Sequence, residues 1–263
     1  MGFENQPKRR HSKIIAVQGI SGGVGATNFA VNLAWELSCS NIDTHSRVCI
    51  IDLDAQGGSV AHYLGDRKPH SSLSDIATFG HTFGDGQFLP VEIVSDRLIV
   101  IPSPQHLAPK EIFTLTSIKS LIKRISVRYD YIIIDLGSDY TSWWEQLSLT
   151  VDTLFLVLQR DIRSSVNLRR LCDEIRNSPD IYMKCRLILT RAAGRYDFAE
   201  RRREQLALSD LDIGSIDRIP DGGTWISIAN DLGQPLARAR PRSPYLTAIR
   251  KLVERLQTEL HET

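Results

Sequence analysis

The sequence predicts an α/β fold, a doubly wound and mostly parallel sheet with helices on both faces. Three observations carry this. Short, continuous apolar runs rich in Val, Ile and Leu recur along the chain, as strands buried on both faces do. Segments with helical spacing separate these runs, which is the alternation of an α/β sheet rather than of a bundle or a sandwich. The first run also passes directly into a glycine-rich loop and then a helical pattern, while two later runs end in aspartates.

The elements follow in order. Residues 13–18 form a short β-rich run. Residues 27–40 place Phe29, Ala30, Leu33, Ala34 and Leu37 on one helical face. Residues 47–53 read as a second buried strand. Residues 64–87, rich in Gly, Ser and His, are expected to form a surface excursion. Residues 91–94 and 98–101 read as two strands with a turn at Ser95 and Asp96. Residues 109–127 have the pattern of a long amphipathic helix. Residues 130–136, 153–158 and 186–189 are further apolar strand runs, and 163–176 and 244–261 have helical spacing. In the last helix Leu246, Ile249, Leu252, Val253, Leu256 and Leu260 form one stripe. Glu254, Glu259 and Glu262 and the lack of a strong basic face make that stripe a core-facing surface rather than a membrane-lying one.

Composition bounds the rest. With 263 residues, 42% hydrophobic and 24% charged, the chain suits one large domain. Residues 1–12 read as a basic flexible tail or linker and residues 13–263 as the domain. A formal net charge of +1 provides no global field toward nucleic acid or anionic lipid. The apolar runs are of strand length, so an integral membrane protein is not expected. Cys39, Cys49, Cys172 and Cys185 lack C-x-x-C spacing and read as reduced packing residues, implying a reducing compartment. Arg201, Arg202 and Arg203 read as a solvated helix face offset by Glu200, Glu204, Asp210 and Asp212. Arg238, Arg240 and Arg242 are the better basic patch.

The informative segment runs from Gly19 through Ile20, Ser21, Gly22, Gly23, Val24, Gly25, Ala26 and Thr27 to Asn28. Glycines between a strand and a helix let backbone N–H groups wrap a phosphate, and the helix N-terminus adds its dipole. Thr27 occupies the place of a magnesium-ligating hydroxyl in a phosphate-binding loop. Asp52 and Asp54 close the second strand and Asp135 closes the run Ile132-Ile133-Ile134. Carboxylates at strand ends beside such a loop hold Mg²⁺ through water. Each aspartate alone could equally cap a helix or a turn.

These segments resemble the ParA/MinD group of deviant Walker-A P-loop ATPases, and within it the CpaE/TadZ branch linked to Flp/Tad pilus assembly. Gly22-Gly23-Val24-Gly25-Ala26-Thr27 is similar to that branch's loop. Val31-Asn32-Leu33-Ala34 resembles the group's first helix, Ile51-Asp52-Leu53-Asp54-Ala55-Gln56-Gly57 its D-x-D-P-Q-G segment, and Tyr129 to Asp135 its Walker B strand. Ile219-Pro220-Asp221 and Gly233-Gln234-Pro235-Leu236 resemble its closing motifs. The resemblance implies ATP and Mg²⁺ as ligands. It implies that the backbone of 22–27 with Asn28 holds the phosphates, and that Pro220 and Asp221 lie near the base. Thr27, Asp54 and Asp135 would serve the metal, and Asp52 and Asp54 are weak catalytic candidates. It also implies a homodimer, pilus or secretion assembly partners, peripheral contact with polar membrane or DNA, and a cytoplasmic placement, peripheral at the inner membrane or cell pole. A receiver-like domain precedes the loop in that branch, and residues 7–13 resemble the linker that would follow it.

The departures from the group are as specific as the matches. Its signature lysine falls at Ser21 and its ordinary P-loop lysine at Ala26. Each lost charge-assisted contact weakens the phosphate grip by about 1.5–3 kcal/mol. Transition-state stabilisation suffers more. An asparagine that often meets adenine corresponds to Thr190, and the proline often found after Walker B is absent from Asp135-Leu136-Gly137-Ser138. Arg160, Arg163 and Arg191 are candidate substitute cations, each read first as a surface arginine. The first expectation is therefore a dimeric positioning scaffold with weak nucleotide binding and little or no ATP hydrolysis. An active partitioning or septum-site ATPase and a purely structural P-loop fold are the alternatives.

Overall fold

The computed structural model describes residues 11–40, 46–65, 73, 92–104, 112–194, 197–208 and 216–261. Its frame is one eight-stranded sheet of β1 (Lys13–Gly19), β2 (Val48–Asp52), β3 (Glu92–Ser95), β4 (Leu98–Ile101), β5 (Tyr131–Asp135), β6 (Thr153–Gln159), β7 (Cys185–Ala192) and β8 (Ile216–Pro220). The spatial order is β3-β4-β2-β5-β1-β6-β7-β8. Every pairing is parallel except β3 with β4.

Strand periodicity explains why both faces are apolar. Successive side chains of a strand point to opposite faces. Ala16, Cys49, Ile51, Ile132 and Ile134 enter one buried cluster, whereas Ile15, Val17, Val48, Ile50 and Ile133 enter the other. Helices α1 (Ala26–Cys39) and α10 (Pro244–His261) cover the second cluster. Phe29, Leu33 and Leu37 meet Leu246, Ile249 and Leu252 there, and Phe29 stands edge-on to Phe155 with centroids 5.3 Å apart. Each such buried side chain stabilises the fold by about 1.5–3 kcal/mol. Helices α3 (Leu115–Ile125), α4 (Trp144–Ser148) and α5 (Ile162–Ile175) cover the first cluster with Ile118, Leu121, Ile122, Leu147, Leu168 and Leu171. The remaining helices are α2 (Val60–Tyr63), α6 (Pro179–Tyr182), α7 (Phe198–Leu208), α8 (Thr224–Asp231) and α9 (Leu236–Ala239).

Several sequence expectations need correction. Of the helix expected over 109–127, residues 109–111 lie outside the described residues, and the described part is helical over Leu115–Ile125. Thr114 accepts from the Ser117 N–H while the Ser117 hydroxyl accepts from the Thr114 N–H, a reciprocal cap that fixes the start. Cys39 is exposed, so only Cys49, Cys172 and Cys185 are packing residues. Most of the excursion at 64–87 lies outside the described residues, but Leu73 within it is buried in the core and donates its N–H to the Pro102 carbonyl. Glu204 does not offset the arginines beside it. It is buried, accepts from the Ala193 N–H and lies within ion-pair distance of Arg160 and Arg218. Arg201 and Arg202 are exposed, while Asp210 and Asp212 lie outside the described residues. Leu246, Ile249, Leu252, Val253 and Leu256 of the α10 stripe face the core as expected.

Candidate functional site

β1 lies at the centre of the sheet, between β5 on one side and β6 on the other. Connections that leave in opposite directions open a crevice beyond the carboxyl ends of the strands, where α/β sheets bind ligands. The loop from Gly19 to Ala26 occupies that crevice. Gly23 and Gly25 have φ of 80° and 88°, a left-handed backbone that side chains disfavour. Gly25 is the N-cap of α1, and no side chain caps that helix end. Its first N–H groups are therefore available to an anion.

The acid side of the site is built by β2 and β5. Asp52 and Asp135 are opposite one another in the parallel register. They are 1% and 0% exposed. Asp52 accepts from the Asp54 N–H at 3.1 Å and the Val60 N–H at 3.1 Å, so it brackets the loop after β2. Asp54 Oδ1 accepts from the N–H groups of Gln56 and Gly57 at 3.1 and 2.9 Å. Gly137 has φ 67°, and a side chain there would meet Asp54 Oδ2 at 3.0 Å. This close approach draws the loops after β2 and β5 together. Burial raises the Asp52 carboxyl well above the ordinary range, and the charge of Asp135 adds to the rise, against the two backbone donors. Burial likewise pushes Asp135 up to about 6, with Asp54 adding and the Thr27 hydroxyl and Gly137 N–H opposing. Asp135 Oδ1 accepts from Gly137 at 3.2 Å, but Asp135 Oδ2 is buried with no hydrogen-bond partner among the described residues.

That orphan oxygen, on a carboxylate that also interacts with the Thr27 hydroxyl, fits a hydrated cation. Among the described residues no three acidic, thiol or imidazole groups converge into a direct metal cage. Mg²⁺ needs none, since it keeps several waters and takes one or two carboxylates plus phosphate oxygens. Thr27 would ligate it and Asp135 and Asp54 would hold its waters. Asp52, with both oxygens engaged by backbone, serves as a structural bracket.

The basic side is different. Ser21 is 7% exposed and its hydroxyl lies 3.1 Å from that of Ser164, the third residue of α5. Ser164 in turn donates to its capping residue Asp161 at 3.1 Å. Asn167 donates to the Ile20 carbonyl at 3.1 Å. Ala26 is buried. The first half of the loop is thus fastened to α5 and carries no cation of its own. Of the candidate substitutes, Arg160 is paired with Glu200 at 2.6 Å and Arg191 with Gln159.

A cavity of about 180 Å³ opens on the other side of α1, where Val24, Gly25 and Asn28 meet Thr190, Pro220 and Asp221. The structure therefore brings together residues more than 160 positions apart that the sequence had linked to one ligand. Thr190 is turned inward, with its hydroxyl 2.7 Å from the Val24 carbonyl, and Asp221 accepts from the Gly223 N–H at 2.9 Å. Asn28 Oδ1 and the Tyr245 hydroxyl are buried without partners among the described residues. Sequence reasoning missed Tyr245, Ser164, Asn167 and Gln18. Only Gln18 left a signal, a polar residue closing an apolar strand. It is fully buried, donates to the Gly19 carbonyl at 3.0 Å and accepts from the Trp144 indole at 2.9 Å.

Residues 12–184 match the AAA domain family. An uncharacterized protein of Methanocaldococcus jannaschii is 24% identical over 260 residues, 92% of this chain and 96% of its own. The ParA family ATPase of Chlorobium tepidum has a similar structure, with TM-score 0.79 at 21% identity over 93% of this chain and 98% of that one. The septum site-determining protein MinD of Pyrococcus horikoshii, solved with Mg-ADP, gives 0.72 at 20% over 93% and 96%. A chain of the MinC:MinD cell division protein complex of Aquifex aeolicus gives 0.72 at 17% over 94% and 96%.

Proposed function

The chain belongs to the AAA domain family, and we propose on that premise that it is a ParA/MinD-like nucleotide-binding protein that holds Mg·ATP weakly and hydrolyses it little. The observation that carries this reading is the asymmetry of the loop. Its left-handed glycines, uncapped helix N-terminus and adjoining carboxylates suit phosphate and Mg²⁺. Its two lysine positions are instead Ser21, spent on Ser164, and the buried Ala26. Backbone donors bind phosphate in ground and transition states alike. Cations count most where charge develops during phosphoryl transfer. Such a protein acts by occupancy, as a dimeric scaffold that marks a position for assembly machinery. The loop's likeness to the CpaE/TadZ branch points to pilus or secretion assembly proteins as partners and to a peripheral polar site.

The retained carboxylates favour a second reading, an active ATPase of the partitioning or septum-positioning type. Calorimetry with Mg·ATP, followed by phosphate release in the same sample, separates the two. Micromolar binding that requires Mg²⁺ and gives no turnover is the expected result. Turnover makes the ATPase reading correct. No binding at millimolar Mg·ATP refutes both and leaves the fold as a protein-binding platform.

A further inference from the structure

We propose that Arg163, on the first turn of α5, supplies in the same chain the phosphate-facing positive charge that Ser21 and Ala26 lack; the inference rests on the nucleotide-binding reading. A cavity of about 470 Å³ adjoins the loop, lined by Ser21 and Gly22, by Ser138 and Asp139, and by Arg163, Arg170 and Glu174 of α5. It is continuous with the phosphate loop through the Gly22 backbone. A side chain on Gly22 would meet only Ser138 Oγ, at 4.0 Å, so the approach from this side is open.

Four observations single out Arg163. First, the residue after it, Ser164, is the one that touches Ser21, so the side chain starts beside the place where the missing lysine would stand. Second, the Arg163 backbone N–H is held by Asp161, but no hydrogen bond or ion pair joins its guanidinium to another described residue, whereas the Arg160 and Arg191 side chains are engaged elsewhere. Third, the charge opposes its own helix. Arg163 is the second residue of α5, at the positive end of the dipole, where a cation is disfavoured. The N-cap Asp161 keeps its negative charge while accepting from the Ser164 N–H at 2.7 Å and the Ser164 hydroxyl, but it forms no ion pair with the Arg163 guanidinium among the described residues. A local choice that contradicts its element marks a functional position. Fourth, Arg170 is a weaker candidate. It lies about 10 Å further along the helix, and Glu174, one turn beyond and in the same cavity, offsets it. A guanidinium reaching past Gly22 would meet the terminal phosphate of a nucleoside triphosphate, the group ADP lacks.

The test compares affinities for Mg·ATP and Mg·ADP in the wild type, Arg163→Gln and Arg163→Lys, with melting of each protein without nucleotide. Arg163→Gln should weaken Mg·ATP by about 10- to 100-fold, the value of one charge-assisted contact. It should weaken Mg·ADP by less than about threefold, and Arg163→Lys should regain part of the ATP preference. An unchanged ATP-to-ADP ratio in Arg163→Gln overturns the inference. If Arg163→Gln melts far lower, the lysine variant decides, because loss of its ATP preference in a folded protein also overturns it. A wild type that binds both nucleotides equally refutes the role of Arg163 but keeps the nucleotide reading. A wild type that binds neither refutes both.

Discussion

The two sides of the loop that closes β1 are built differently. On the acid side, the strand-end carboxylates are fixed by five backbone N–H groups and drawn together by the approach of Gly137 to Asp54. On the other side, the uncharged Ser21 and Ala26 are part of the packing, one through a buried hydroxyl pair and the other as a small apolar residue. The difference teaches that the shape of a phosphate site and its charge are separable. Shape is held by strand ends and left-handed glycines, which the whole sheet supports. Charge rests on single side chains that can be lost without disturbing the sheet.

Restoring a lysine should break this asymmetry most. Ala26→Lys places an ammonium at the start of α1 beside Thr27, at a position the alanine now fills as a buried side chain. Mg·ATP affinity measured by calorimetry should rise by about 10- to 100-fold, and phosphate release should rise with it. If affinity stays unchanged in a variant that melts like the wild type, the loop is a structural turn and its glycines serve packing alone.

The acid side predicts a smaller effect, with a definite sign. The folded-state pKa of Asp135 is raised from 3.8 to about 6. Between these values the folded protein binds more protons at this site than the unfolded chain, so stability from this group is greatest at low pH and is lost as pH rises toward 6. The raised Asp52 acts in the same direction. Melting from pH 4 to 7 without metal should therefore fall more steeply in the wild type than in Asp135→Asn. Mg²⁺ with ATP should lessen the fall by stabilising the ionised form. Equal slopes in the two proteins would show that Asp135 is not strained by its burial.

The contrast also explains what was legible in the sequence. Residues 22–27, 52–54 and 132–135 are contiguous strings whose types follow from backbone chemistry, and the structure places them as their order suggested. Continuous apolar runs separated by helical segments made the doubly wound sheet legible, and β1, β2 and β5 bury both faces accordingly. What stayed hidden depends on pairs distant in sequence. Ser21 meets Ser164 across 143 residues, and Gln18 meets Trp144 across 126. Neither pair has a local pattern. In the span from α7 to β8 the burial of Glu204 was missed for another reason. Helix α7 has little apolar periodicity and β8 is a partly buried edge strand, so Glu204 looked like one more surface charge.

The smallest effect isolates the Ser21 contact itself. Ser164 Oγ already donates to Asp161, so in the 3.1 Å pair the Ser21 hydroxyl is the donor. Removing it with Ser21→Ala leaves Ser164 satisfied and creates no orphaned donor. The cost should be near the low end for a neutral hydrogen bond, about 0.5–1 kcal/mol, rather than the larger penalty of an unmet buried group. Denaturant unfolding can resolve that loss, because the midpoint moves while the slope does not. Mg·ATP affinity should not change, since the hydroxyl points into α5 and away from the phosphate loop. If affinity drops while stability holds, Ser21 turns toward the ligand when nucleotide binds, and the basic side of the loop keeps one working side chain.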